Sequence, residues 1–104
     1  MIKISIKNNS LVVYGIGSFN LQMGLDIKTI LKDNVNDSTN KIIISFKEIN
    51  YINSDGLREL LEISKKLKEN KKVLMLAELN DNTKELFHFT CLYEVFEIID
   101  KLNI

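Results

Sequence analysis

The densest set of chemically useful side chains is the run Asn53-Ser54-Asp55-Gly56. It lies just ahead of an apolar repeat formed by Leu57, Leu60, Leu61, Ser64 and Leu67, where a helix begins. The first turn of a helix gathers unpaired backbone N–H groups and the positive end of the helix dipole. The Ser54 hydroxyl therefore has two readings. It is a cap, a role Asn53 fills equally well, or it is an acceptor for a phosphoryl group, whose oxygens those N–H groups would bind. Gly56 costs about 1 kcal/mol of helix propensity against Ala. Its missing side chain either accommodates packing or leaves open space through which another protein reaches Ser54.

Two other clusters bear on chemistry and fall short of it. Gly15-Ile16-Gly17 follows a strand-like segment and precedes a helix, as a dinucleotide loop does. It lacks the third glycine, and Ile16 with Phe19 would crowd a pyrophosphate, so no nucleotide cofactor is expected. His88 and Cys91 are the lone histidine and the lone cysteine. Two such groups at one helix end do not make a four-ligand zinc site, and no third group orients them as a nucleophile–base pair. The expectation is a protein without catalytic residues, bound metal or cofactor.

Composition narrows the class further. The chain has 104 residues with 14 basic and 14 acidic side chains, so net charge offers no basic surface for nucleic acid. One cysteine forms no internal disulfide, no apolar run reaches the length of a membrane span, and the alternating start is no signal peptide. This predicts a cytoplasmic protein, one domain over residues 1–104. Arg58 is the sole arginine among the 14 basic residues, an imprint of Lys-, Asn- and Ile-rich usage, and proline is absent.

The elements that would position Ser54 follow from periodicity. Ile2, Ile4 and Ile6 share one strand face opposite Lys3, Ser5 and Lys7, and Asn8-Asn9-Ser10 turns the chain into a second strand at Leu11–Tyr14. Gly15 and Gly17 are expected to break that strand. Met23, Ile27, Ile30 and Leu31 mark a helix starting near Phe19 or Asn20. Lys41–Phe46 is β-branched without alternation and reads as a strand buried on both faces. Lys47–Ile52 reads as a connection, and residues 54–70 as the clearest helix, with Glu59, Glu62 and Arg58 off its apolar stripe. Val73–Ala77 is a further buried strand, and a helix begins near Asn82–Thr83 and ends near Thr90. The tail from Val95 to Ile99 is a short strand or a helix start. The order predicts an α/β fold, a mixed sheet with an N-terminal antiparallel hairpin followed by parallel strands, packed with three to four helices.

From Lys41 to Leu67, the buried strand Ile42-Ile43-Ile44-Ser45-Phe46 and the segment Ile49-Asn50-Tyr51-Ile52-Asn53-Ser54-Asp55-Gly56-Leu57 resemble the STAS family. That family comprises anti-sigma factor antagonists and cytoplasmic domains of sulfate transporters. Its members open a helix with Asp-Ser-Ser/Thr-Gly-Leu after such a strand. Val73–Leu76, the Asn82–Phe89 helix and Thr90-Cys91-Leu92 resemble the family's later strand, helix and Thr-Gly-Leu turn. The resemblance implies a stand-alone anti-sigma factor antagonist without catalysis of its own. It would bind an ATP-dependent anti-sigma factor/serine kinase through Asn53, Ser54, Asp55, Gly56, Arg58, Glu59 and Glu62, with Ser54 the phosphorylation site and a serine phosphatase resetting it. The alternative is a non-switching adaptor or scaffold subunit of a transporter or stressosome-like complex. Three residues depart from the pattern: Asn53 for Asp, Asp55 for the second Ser or Thr, and Cys91 for a Gly that would accept a left-handed backbone.

Overall fold

The computed structural model describes residues 1–102. Its elements are β1 (Ile2–Lys7), β2 (Ser10–Phe19), α1 (Leu21–Asn34), β3 (Lys41–Ile52), α2 (Ser54–Glu69), β4 (Val73–Ala77), α3 (Asp81–Phe89), a 3-10 turn (Leu92–Glu94) and β5 (Glu97–Ile99). The five strands form one mixed sheet in the order β1-β2-β3-β4-β5. β1 and β2 are antiparallel around a tight turn in which Asn8 takes a left-handed backbone (φ 55°). All later neighbours are parallel, with Ile42 beside Leu74 and Ile44 beside Leu76.

Spatial order that repeats chain order has a direct consequence. Each right-handed crossover advances the same way across the sheet, so every connecting helix lands on one face. The core follows: Leu11, Val13, Ile42, Ile44, Phe46, Leu74 and Leu76 of the sheet pack against Met23, Ile27, Leu60, Ile63, Leu67 and Phe87 of the three helices. Each fully buried aliphatic or aromatic side chain there contributes about 1.5–3 kcal/mol of transfer free energy. On the opposite face Val12, Ile43 and Ala77 are buried among Tyr14, Met75, Ile99 and Leu102, and among the described residues no helical one joins that cluster.

Two expectations need correction. The glycines do not break β2, which runs on to Phe19. A Cβ on Gly15 would come within 2.7 Å of Ile49 Cδ1, so its bareness lets the next strand's side chain close in. Gly17 has φ +101° beside a register shift, the conformation a bulge asks of glycine. Lys47–Ile52 is strand rather than connection. β3 carries extra residues against β2, with Tyr14 opposite Ser45 but Ile16 opposite Glu48, and Gly17 opposite Ile49 but Ser18 opposite Tyr51. Those bulges scramble the two-residue alternation. In β1, Ile4 and Ile6 share a face as expected, yet that face lies beyond the helix layer and leaves both exposed.

The tail resolves as strand, β5, after the 3-10 turn, and the helix near Asn82 starts at Asp81 under an Asn80 cap. Cys91 keeps the left-handed backbone itself (φ 59°, ψ 22°). The turn is thus preserved despite the side chain, at the strain any L-residue bears there.

Candidate functional site

All three helices start at the same end of the sheet, and each is capped by an asparagine. Asn20 Oδ1 accepts from the Met23 N–H at 3.0 Å, Asn53 Oδ1 from Gly56 at 2.8 Å and Asn80 Oδ1 from Thr83 at 2.8 Å. The Asn80 carboxamide also donates to Ile49 and Asn50 carbonyls at 3.3 Å, tying the α3 start to the bulged end of β3. These are the carboxyl ends of parallel strands, where loops rather than core residues meet solvent.

Of the two readings of Ser54, the cap belongs to Asn53. Ser54 is the first residue of α2, exposed, with its hydroxyl outside the capping bond. Asn53 Oδ1 takes the Gly56 N–H and the Asn53 carbonyl takes the Leu57 N–H. That leaves the amides of Ser54 and Asp55 facing outward, as expected of a helix's first turn.

Of the two readings of Gly56, packing holds and the opening does not. Gly56 is buried, and a Cβ there would lie 2.0 Å from the Phe19 carbonyl oxygen and 2.7 Å from its carbon. The same carbonyl accepts the Asn53 N–H at 3.2 Å. The first turn of α2 is thus pressed onto the last residue of β2, whose ring stacks on Phe46 with centroids 5.7 Å apart. Gly56 positions Ser54 from within; it presents nothing to a partner.

Glu59 also leaves the predicted contact surface. It is buried at 7% exposure, packed where Gly24 lets α1 and α2 approach: a Cβ on Gly24 would stand 2.4 Å from Glu59 Cβ. The Lys28 ammonium sits within salt-bridge distance of Glu59 Oε1, without the alignment of a hydrogen bond, and donates to Glu62 Oε2 at 2.7 Å. The Glu59 carboxylate, then that of Glu62, holds the Lys28 ammonium above its ordinary 10.5. Lys28 in turn draws the Glu62 carboxyl below 4.5. Charge alone marked Glu59 as a surface residue; the small residue across the helix pair was the missed signal.

What remains around Ser54 is exposed and mixed in character. Asp55 and Arg58 pair loosely at 3.4 Å. Tyr51, three residues before Ser54, is 58% exposed, and Leu21 and Leu25, on the flank of α1 that carries Lys28, are 45% and 42% exposed. Apolar and aromatic side chains beside an arginine are what protein-binding surfaces tend to carry. The other predicted clusters lie elsewhere. His88 is exposed and stacks on Tyr93 with centroids 4.2 Å apart, and Cys91 is exposed at the far end of α3. Among the described residues no three His, Cys, Asp or Glu side chains converge as a metal site, and no helix is long and apolar enough to cross a membrane. On the α2 stripe, Leu60 and Leu67 are buried as expected. Leu57 and Leu61 are half-buried, and Ile63 joins the core.

The family model for the STAS domain matches residues 3–103. Among solved structures, the chain superposes on a proposed anti-sigma factor antagonist from Thermotoga maritima with a TM-score of 0.86 at 19% identity, covering 97% of this chain and 87% of that one. It also superposes on a sulfate transporter family protein from Wolinella succinogenes (TM-score 0.81, 15% identity, 94% and 82% covered). A third is the Bacillus cell fate determinant SpoIIAA in its phosphorylated form (TM-score 0.70, 16% identity, 99% and 93% covered). Comparison with curated sequences finds no match.

Proposed function

The chain belongs to the STAS domain family, and from that membership we propose that it acts as an anti-sigma factor antagonist switched at Ser54. The unmodified protein binds an anti-sigma factor with ATP-dependent serine kinase activity through the exposed start of α2, and so frees a sigma factor. The observation that carries this reading is the state of Ser54: exposed, first in its helix, and released from capping by Asn53. A phosphate there adds about 1.5–2 negative charges on a surface meant to be desolvated, and weakens the complex. The kinase supplies nucleotide and magnesium, a serine phosphatase reverses the modification, and this chain performs no catalysis.

Asn53, Asp55, Arg58 and Glu62 frame the contact surface, with Tyr51, Leu21 and Leu25 as its apolar part. The existence of a structural neighbour in phosphorylated form supports the reading. Asn53, where the family has Asp, retains the cap, and Asp55 lends a negative charge to the first turn, where it is favoured.

The test uses the serine kinase encoded nearest this gene, with ATP, intact-mass measurement and a pull-down. Wild type gains one phosphate and dissociates. Ser54→Ala gains none and stays bound in ATP, and Ser54→Glu binds more weakly than wild type while folding as stably. Phosphate gained by Ser54→Ala, or tight binding by unmodified wild type that persists in ATP, refutes the switch and leaves a constitutive scaffold.

A further inference from the structure

β1 is an edge strand of the sheet, paired with β2 on one side only. Met1 and Ile16 exchange main-chain bonds, the Ile16 N–H donating to Met1 O at 2.9 Å and the Met1 ammonium to Ile16 O at 3.4 Å. In an antiparallel pair such bonded positions alternate, so Lys3, Ser5 and Lys7 also face β2, and the N–H and C=O groups of Ile2, Ile4 and Ile6 point away from the sheet. All three isoleucines put their side chains on the helix-bearing face; Ile2 packs at the margin of the core, while Ile4 and Ile6 lie beyond the reach of α1 and are 42% and 62% exposed. A strand edge with unpaired backbone and apolar side chains is a template for another strand. The opposite edge of the sheet, three-residue β5, offers no such length.

We infer that two copies of this chain associate through β1, antiparallel, with Ile4 opposite its own equivalent, to form one continuous sheet. Backbone parity and charge select that register. Outward-facing positions must pair with outward-facing positions, which leaves even-numbered residues opposite even-numbered ones. With Ile4 at the centre, Ile2 meets Ile6 and Lys3 meets Ser5, while Lys7 lies against Met1, whose ammonium is turned away towards Ile16 O on the β2 side. A shift by two residues one way sets Lys3 against Lys7; the other way sets Lys3 against itself. Like charges directly opposite each other are destabilising, so both shifts are disfavoured. The central register forms about six main-chain hydrogen bonds and covers the isoleucines of both copies in the groove beside the two α1 helices. The two-fold axis stands perpendicular to the sheet, and α2 with Ser54, which packs over β3 and β4, remains uncovered.

The register is read by cysteine pairing in full-length protein carrying Cys91→Ser. The Cα atoms of facing bonded residues are about 5.5 Å apart, inside the range a disulfide spans. Those of Ile6 and its equivalent are about 14 Å apart at four residues' offset. On mild oxidation Ile4→Cys becomes a covalent dimer, Ile6→Cys stays monomeric, and Ile2→Cys combined with Ile6→Cys crosslinks again. Sedimentation of wild type shows mass rising towards twice the monomer with concentration. Ile6→Lys, at an exposed site, stays monomeric with unchanged circular dichroism. Wild type that sediments as a monomer at every concentration overturns the inference, as does a β1 that pairs only with another protein's strand. Ile6→Cys that crosslinks as readily as Ile4→Cys overturns the register.

Discussion

Helix propensity and packing make opposite predictions for Gly56→Ala. Propensity favours Ala by about 1 kcal/mol in a helix. The structure places the new Cβ 2.0 Å from the Phe19 carbonyl oxygen, where real contacts stay beyond 3.0 Å. The first turn of α2 must therefore retreat from β2 by about 1 Å, and backbone against backbone has no rotamer to yield. Overpacking of this kind costs about 1–3 kcal/mol. The retreat also stretches the 3.2 Å bond from the Asn53 N–H to Phe19 O, worth about 1 kcal/mol. The net expectation is a loss of about 1–3 kcal/mol, which lowers the melting temperature by roughly 4–8 °C per kcal/mol in a chain of this size. Urea denaturation with Lys66→Ala as a surface control measures it. A Gly56→Ala protein as stable as wild type, or more so, would show that α2 is not seated on Phe19 as described.

Two further outcomes follow from the same geometry. Asn53→Ala loses about 1 kcal/mol because it removes the α2 cap, whereas Ser54→Ala stays within about 0.5 kcal/mol of wild type; equal losses in denaturant titrations would return the cap to Ser54. Lys28→Met strips the cation from buried Glu59 and destabilises by about 1–3 kcal/mol at neutral pH. Glu62, held below 4.5, contributes stability that is present above 4.5 and is lost as pH falls through its lowered folded value. Lys28, held above 10.5, contributes stability that is present below 10.5 and is lost as pH rises through its raised folded value. The gap between wild type and Lys28→Met is thus widest between those limits and narrows outside them; a gap independent of pH from acid to alkali would refute the ion-pair account.

What the sequence disclosed was periodic, and what it concealed was pairwise. The β-branched run Ile42–Phe46, the adjacent parallel strand Val73–Ala77 and the apolar spacing of α2 were legible because burial imposes its period on one element at a time. The second half of β3 was not, since its bulges against β2 erase alternation. The packing partners of the glycines were hidden for a related reason. Gly15, Gly24 and Gly56 are bare because of Ile49, Glu59 and Phe19, residues distant in sequence that only the fold brings near. At the candidate site, Ser54 and its helix start could be named from the residue types. The displacement of Glu59 from surface to helix junction could not, because a carboxylate reads as exposed until its lysine partner, 31 positions away, is placed beside it.

The strand order has a kinetic side. No strand has to be inserted between two already formed, because each one leaves the chain in the order in which it joins the sheet. Every strand pairing is therefore closed by a hairpin or one crossover, so no pairing has to close a loop longer than one crossover. During synthesis the hairpin forms first and offers an edge, and each βα unit leaving the ribosome extends it by one strand. The growing sheet always exposes its newest edge to its own next strand.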